Sequence, residues 1–243
     1  MREIPGRRRR LWFRRSEEPV LLGAALTCAT EWQWPVVPGV GLKATPGRDS
    51  RGGRNQGCAC PDPECVVPGA HPFDPGILAA STDERMIRWW WTNRPTAPIM
   101  LATGGSAPCA LSLSAIAGAR ALTALDAMGM RLGPVVASPT RWSLLVAPYS
   151  LERLGELLYA QDRVPSSLRF HGEGGYLVLP PSETGTGQVR WERAPSADPR
   201  PRADGSVATA GPTTPWLPDV EAVVDALVVA SNGAPDGGSR LAY

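Results

Sequence analysis

The segment Ala110-Leu111-Ser112-Leu113-Ser114 alternates small or polar side chains with apolar ones, and this period of two predicts a β-strand. Successive side chains of a strand point to opposite faces, so Ser112 and Ser114 share one face and Leu111 and Leu113 share the other. The chain therefore contains a strand of a sheet that presents two hydroxyl groups together on one surface.

The pattern of the whole chain favours a fold in which helices and strands are interspersed. Helices are predicted at 19–31, 82–93, 115–129, 150–161 and 218–230, and strands near 34–38, 98–102, 109–114, 134–138, 142–147, 167–171, 176–180 and 188–192. Strands outnumber helices in this order, which indicates an α/β or α+β fold rather than a doubly wound one. A chain of 243 residues that is 43% hydrophobic can bury one substantial core.

The first 18 residues form a basic segment that we expect to be a disordered arm. Residues 1–15 hold seven arginines and one acidic residue, although the net charge of the chain is only +2. Such an arm suits contact with nucleic acid or a membrane surface, but it is also typical of a solubilising terminus. The arginines assigned to it are Arg7, Arg8, Arg9, Arg10, Arg14 and Arg15.

Residues 40–76 are rich in Gly, Pro and Arg and show no sustained periodicity, so this stretch is predicted to be a long loop. Its potential metal ligands fall within 14 residues and are Cys58, Cys60, Cys65 and His71. Three thiolates and an imidazole match the tetrahedral ligand set of structural zinc. The alternative is a loop that holds no metal because part of its ligand set has been lost.

Beyond residue 193 the composition changes twice. Residues 194–217 have the composition of a linker, and residues 218–231 carry apolar side chains at helical spacing. We expect this terminal helix to dock on the preceding domain, residues 19–193; a partner-binding helix is the alternative. No segment reaches the roughly 18 apolar residues that a membrane span requires, so no membrane partner and a cytoplasmic location are expected.

Several segments together resemble the amino-terminal domain of bifunctional DNA primase/polymerases. Residues 99–114 (IMLATGG…ALSLS) and 172–182 (GEGGYLVLPPS) carry the most specific similarity. Residues 24–39 and 83–91 resemble the opening helix and strand and the tryptophan-bearing helix of the family, so the similarity covers about residues 19–193. The resemblance implies an archaeo-eukaryotic primase-like mixed sheet with flanking helices and a Cys/His insertion.

The residues that would perform the family's chemistry are replaced. Ser112 and Ser114 stand where the family has an Asp-x-Asp, Ser143 is nearest to the place of its histidine, and Arg169 and His171 stand at its third aspartate and its arginine. Nucleotidyl transfer needs two divalent metals held by carboxylates. Between residues 94 and 151 the only carboxylate is that of Asp126, in a predicted helix. No catalytic magnesium or manganese is therefore expected.

The resemblance thus predicts a pseudoenzyme: a catalytically inactive primase-polymerase-like domain retained for binding nucleic acid, a nucleotide or a protein partner in replication or regulation. The alternatives are an active DNA primase/polymerase and a structural interaction protein that does not use the cleft. Candidate ligand-binding residues are Ser112, Ser114, Arg141, Trp142, Arg169 and His171. The planar guanidinium of Arg169 suits phosphate oxygens, unless it pairs with a carboxylate such as that of Glu173.

Overall fold

A computed structural model describes residues 19–48, 54–161, 164–196 and 214–232. The predicted arm, with the six arginines assigned to it, and most of the predicted linker lie outside these residues. The helices are α1 (Val20–Leu26, continued by a π-turn over Thr27–Glu31), α2 (Glu84–Asn93), α3 (Ala115–Ala127), α4 (Leu151–Tyr159) and α5 (Val220–Asn232), with a 3₁₀ turn at Ile77–Ala79. All five predicted helices are confirmed to within a few residues.

Twelve strands are present in the described residues. They are β1 (Val36–Arg48), β2 (Arg54–Cys58), β3 (Gly69–Pro72), β4 (Ile99–Ala102), β5 (Cys109–Ser114), β6 (Val135–Ala137), β7 (Arg141–Val146), β8 (Arg169–His171), β9 (Tyr176–Leu179), β10 (Glu183–Thr184), β11 (Gly187–Gln188) and β12 (Arg190–Arg193). The predicted strand at 109–114 has the same bounds in the structure.

These strands form two five-stranded sheets and a short hairpin. The first sheet has the order β2-β1-β4-β9 with β3 also paired to β1, and the second has the order β12-β6-β7-β5-β8. Strands β10 and β11 form the hairpin. The predicted α+β class is confirmed, but every pairing of these strands is antiparallel, whereas the resemblance implied one mixed sheet. Short turns such as that between β6 and β7 permit this antiparallel pairing.

The prediction of a long loop over residues 40–76 is wrong in part. Strand β1 runs to Arg48, and β2 and β3 both pair with it, with Leu42 opposite Cys58 and Gly41 opposite Gly69. Both glycines have a positive φ, and the β1–β3 register shifts between Gly39 and Gly41. Glycine at such irregular positions hides a strand from periodicity arguments. Residues 49–53 lie outside the described chain.

The apolar core is divided into two clusters. The first cluster packs α1 and α2 against the first sheet and includes the fully buried Trp34, Trp91 and Leu179. It also contains Ala110, Val136 and Leu145 of the second sheet. Of the three consecutive tryptophans on α2, Trp90 and Trp91 are buried while Trp89 is 62% exposed, as their helical spacing requires. No helix of the described chain has the length and hydrophobicity needed to cross a bilayer.

The second cluster joins the second sheet to α3 and α5. Leu111 and Leu113 of β5 bring the apolar face of that strand to Leu125 of α3 and to Val223 and Leu227 of α5. The terminal helix therefore packs on the domain, and the backbone N–H of Ala147 donates to the carbonyl of Pro218 just before it (2.8 Å). The serine face of β5 is left to form the site described below.

Candidate functional site

Two turns lock together at the edge of the candidate site. The turn after β4 contains Gly104 with φ +90°, and a Cβ at this glycine would lie 2.3 Å from the Cα of Glu173. Thr103 Oγ1 donates to the carbonyl of Gly172 (2.6 Å), and the Thr103 N–H donates to that of Gly175 (3.0 Å). Only glycine fits both the backbone conformation and the close approach. This contact fixes the segment that connects β8 to β9.

A cavity of about 460 Å³ lies over the serine face of the second sheet. The polar residues that the sheet contributes to its lining are Ser112 of β5, Arg141 and Ser143 of β7, and Arg169 and His171 of β8. The register explains this convergence, because Ser112 lies opposite Ser143 on one side and opposite Arg169 on the other. A cavity of this size suits a small-molecule ligand or part of a larger one.

A hydrogen-bond chain runs through the cavity floor. His171 Nδ1 lies 3.1 Å from the carbonyl oxygen of Tyr176, which can only accept, so Nδ1 carries the proton. The opposite nitrogen, Nε2, then accepts from the Ser112 hydroxyl at 3.0 Å. Burial lowers the pKa of His171 first, and the charges of Arg141 and Arg169 lower it further. The imidazole is therefore neutral at pH 7 and accepts a hydrogen bond from the serine hydroxyl.

The guanidinium of Arg141 is fixed by its own contacts. Nη2 donates to the carbonyls of Ser112 (2.7 Å) and Ser167 (2.8 Å), and Nη2 and Nε donate to the Ser112 hydroxyl (3.1 and 3.3 Å). Burial, followed by the charge of Arg169, lowers the pKa of Arg141 to about 10, so it stays charged at pH 7. With Arg141 and His171 on either side, Ser112 is only 1% exposed, which leaves its oxygen no room to act as a nucleophile.

The cavity is electropositive. Arg169 is exposed, and within the described chain no ion pair joins it to Glu173 or to another carboxylate. None of the described residues that line the cavity is Asp or Glu. Two cations and several hydroxyl groups without a carboxylate favour an anion over a divalent metal ion.

The structure does not bring every candidate residue into this cavity. Ser114 and Trp142 are not among its lining residues. Ser114 caps α3 by accepting the N–H of Ala117 at 3.4 Å. Trp142 alternates with Arg141 and Ser143, so it faces the second core cluster, where a Cβ on Gly118 would lie 2.6 Å from its own Cβ.

Sequence reasoning missed two parts of the lining. The first is a hydroxyl group set from the β6–β7 turn and the β10–β11 hairpin: Ser138, Thr140, Thr184 and Thr186. The second is the segment between two of the potential metal ligands: Val66, Val67, Pro68 and Ala70. Its position could have been found only from the pairing of β3 with β1, which carries the segment to the cavity.

The four potential metal ligands lie together beside the cavity. Their ligand atoms are all within 4.8 Å of one another, so the cluster of Cys58, Cys60, Cys65 and His71 could hold a metal ion. His71 Nε2 lies 3.3 Å from Cys58 Sγ and 3.4 Å from Cys65 Sγ, while its Nδ1 faces the carbonyl of Pro72 at 3.0 Å. A carbonyl partner at Nδ1 leaves Nε2 free to act as a ligand.

Hydrogen bonds prepare one of the thiols for ionisation. Burial opposes the thiolate of Cys58, but backbone hydrogen bonds from Gly69 (3.3 Å to Sγ) and Cys60, with side-chain contacts to Cys60 and His71, lower its pKa to about 6. Burial raises the pKa of Cys65 to about 11, and contacts with the other thiols contribute. Thiolate and imidazole donors of this kind fit a borderline-soft ion with tetrahedral preference.

Comparison with known proteins gives one match. The family model for the amino-terminal domain of bifunctional DNA primase/polymerases matches residues 25–205. No curated protein and no solved structure matches the chain. The matched region extends from α1 past β12, so it contains both the electropositive cavity and the Cys/His cluster.

Proposed function

The chain belongs to the family of bifunctional DNA primase/polymerase amino-terminal domains, and we propose that it binds nucleic acid or a nucleotide without catalysing nucleotidyl transfer. The observation that carries the proposal is the cavity at Ser112, where two arginines converge and no described lining residue is acidic. Family membership supports nucleic acid or a nucleotide as the ligand, and the lack of acidic residues in the described lining supports the proposed inactivity.

The case against catalysis rests on the position of the acidic groups. Two divalent ions need several carboxylate oxygens at one place. Asp126, the nearest acid in sequence to the expected metal site, lies on α3 and pairs with Arg193 at 2.7 Å instead of lining the cavity. Ser112 stands at the place of the family's first aspartate, and its hydroxyl is hydrogen-bonded to Arg141 and to His171.

Phosphate binding would use the two arginines in different ways. Arg141 is held by the protein and supplies a fixed positive charge to the floor. Arg169 is exposed, so its planar fork is available to bind phosphate oxygens in a bidentate manner. The hydroxyl of Ser143 lies in the same lining and adds a neutral donor. None of these contacts requires a metal ion.

The decisive binding experiment titrates ADP or a short single-stranded oligonucleotide in the presence of a chelator such as EDTA. We expect binding that persists with chelator, falls at least tenfold in Arg169→Ala and is unchanged in Arg85→Ala, which removes an exposed arginine outside the cavity. Binding that disappears with chelator, or is indifferent to Arg169, would contradict the anion site. Failure of both probes to bind would direct attention to a protein partner.

A primer-extension and primer-synthesis assay with magnesium and with manganese tests inactivity separately. We expect no incorporation above a protein-free control. Template-directed incorporation that is abolished by a change at Ser112 would identify an active DNA primase/polymerase and refute the proposal.

We further propose that the Cys/His cluster holds one structural zinc ion. The ion would join β2, which ends at Cys58, to β3, which contains His71, and both strands pair with β1. A region with few large apolar residues gains order from such a link. Thiolates that bind a metal instead of forming disulfides suit a reducing compartment such as the cytoplasm. We extend the proposal to a cytoplasmic role in DNA replication.

A further inference from the structure

One part of the cavity lining differs in chemistry from the charged floor. It is formed by the segment Val66, Val67, Pro68 and Ala70, here called the valine wall. Val66 and Val67 are 58% and 42% exposed, although both line a cavity. Exposed apolar side chains that line the same cavity as two arginines favour a ligand with an anionic part and an apolar part.

We infer that the valine wall is the nucleobase-binding surface of the cavity, so that the cavity takes a single nucleotide with its phosphates at Arg141 and Arg169. This inference rests on the proposed function and adds to it the ligand class and the residues that select it. An anion without a base, such as pyrophosphate, would contact only the floor, whereas a nucleoside diphosphate would contact floor and wall together.

The character of the wall distinguishes a single nucleotide from a longer strand. Surfaces that bind single-stranded chains combine an extended basic groove with aromatic platforms on which successive bases stack. The lining of this cavity contains only two aromatic residues among those described, Phe170 and Tyr176, and its volume is about 460 Å³. One base fits such a space, and a run of stacked bases does not.

Contacts at two adjacent residues, Pro68 and Gly69, hold the valine wall before any ligand arrives. On one side the N–H of Gly69 donates to Cys58 Sγ (3.3 Å), next to the metal-ligand cluster. On the other side the N–H of Gly185 donates to the carbonyl of Pro68 (2.8 Å), and a Cβ on Gly185 would lie 2.7 Å from Pro68 Cβ. A preformed wall loses little conformational entropy on binding, which favours affinity.

The test compares ADP with pyrophosphate by calorimetric titration of the full chain as purified. Wild-type protein should bind ADP at least tenfold more tightly than pyrophosphate, since the base adds apolar contact with the wall. Val66→Ser/Val67→Ser should lose most of this difference while its pyrophosphate affinity stays within twofold. The control is Val20→Ser, which changes an exposed valine on α1 (74%) outside the cavity and should alter neither affinity.

Zinc content and thermal midpoint are measured for each variant. The single variant Val67→Ser should lose about threefold in affinity for ADP and keep its affinity for pyrophosphate. Pyrophosphate binding that depends on Arg169, with ADP no tighter or indifferent to the valines, overturns this inference alone. An oligonucleotide that binds more tightly than ADP overturns the single-nucleotide assignment. Absence of all binding overturns the inference together with the proposed function.

Discussion

The two arginines of the cavity should separate cleanly into a structural residue and a binding residue. Arg141→Met removes the guanidinium but keeps most of the aliphatic stem, so packing changes little. It removes charged donors from the carbonyls of Ser112 and Ser167 and from the Ser112 hydroxyl. Arg169→Met removes an exposed side chain that has no ion pair within the described chain.

The size of the expected difference follows from these contacts. A carbonyl that loses its donor in a partly buried site costs about 1–3 kcal/mol, and water in the adjacent cavity recovers part of this cost. Relief from burying a charge offsets another part. We therefore expect Arg141→Met to lower the free energy of unfolding by about 2 kcal/mol and Arg169→Met to change it by less than about 0.5 kcal/mol.

Equilibrium unfolding in urea, followed by tryptophan fluorescence, measures both variants. The chain has nine tryptophans, and Trp34 and Trp91 are fully buried, so the signal reports on the core. With a slope of about 2–3 kcal/mol per M, the midpoint of Arg141→Met should fall by roughly 0.7–1 M. An unchanged midpoint for Arg141→Met, or an equal fall for Arg169→Met, would refute the assignment of Arg141 as the fixed cation of the floor.

Three further predictions concern pH, metal and the arm. The pKa of His171 is lowered in the folded state from an unfolded value of 6.5, so the unfolded chain binds more protons below that pH. The free energy of unfolding should therefore fall as the pH drops below about 6.5. His171→Asn should flatten this dependence in urea titrations at pH 5 and 7.5. Elemental analysis should find about one zinc per chain, lost in Cys58→Ser and retained in the control Cys28→Ala; a metal-free wild-type protein with an ordered cluster would contradict the zinc proposal. Any contribution of the predicted arm to duplex DNA binding should be independent of sequence and should add about −4 to −5 to the slope of log affinity against log salt, from about five phosphate contacts; a chain that starts at Glu17 and keeps the same slope would show that the arm does not bind.

The sequence predicted the parts of this fold that follow simple periodicity. Strand β5 and the helix after it were predicted closely because alternation and helical spacing are unbroken there. Strands β2 and β3 were missed because their side chains are small or irregularly spaced and their pairing depends on β1, which is distant in sequence. Local patterns cannot report such long-range pairing.

The residues of the candidate site could be predicted where strand alternation shows which face of the sheet each side chain occupies. Alternation paired Ser112 with Ser114 and Arg169 with His171, and the family resemblance placed both pairs in one cleft. The structure brings Ser112, Arg169 and His171 into one cavity. The same alternation, applied to Arg141 and Trp142 together, would have excluded Trp142, since neighbours on a strand face opposite ways. Ser114 obeys the alternation but ends its strand, and there helix capping uses its hydroxyl.

The position of α5 in the chain has a consequence for the order of synthesis. The buried residues of the first core cluster lie at or before Val189, whereas the second also needs the valines and leucine of α5, which follow residues 197–213. On the ribosome, the buried part of the first cluster can therefore form while α3 alone covers the leucine face of the second sheet. During that interval Leu111, Leu113 and Leu144 would lack the contacts that α5 provides, and incompletely covered apolar surface of this kind favours aggregation until α5 arrives.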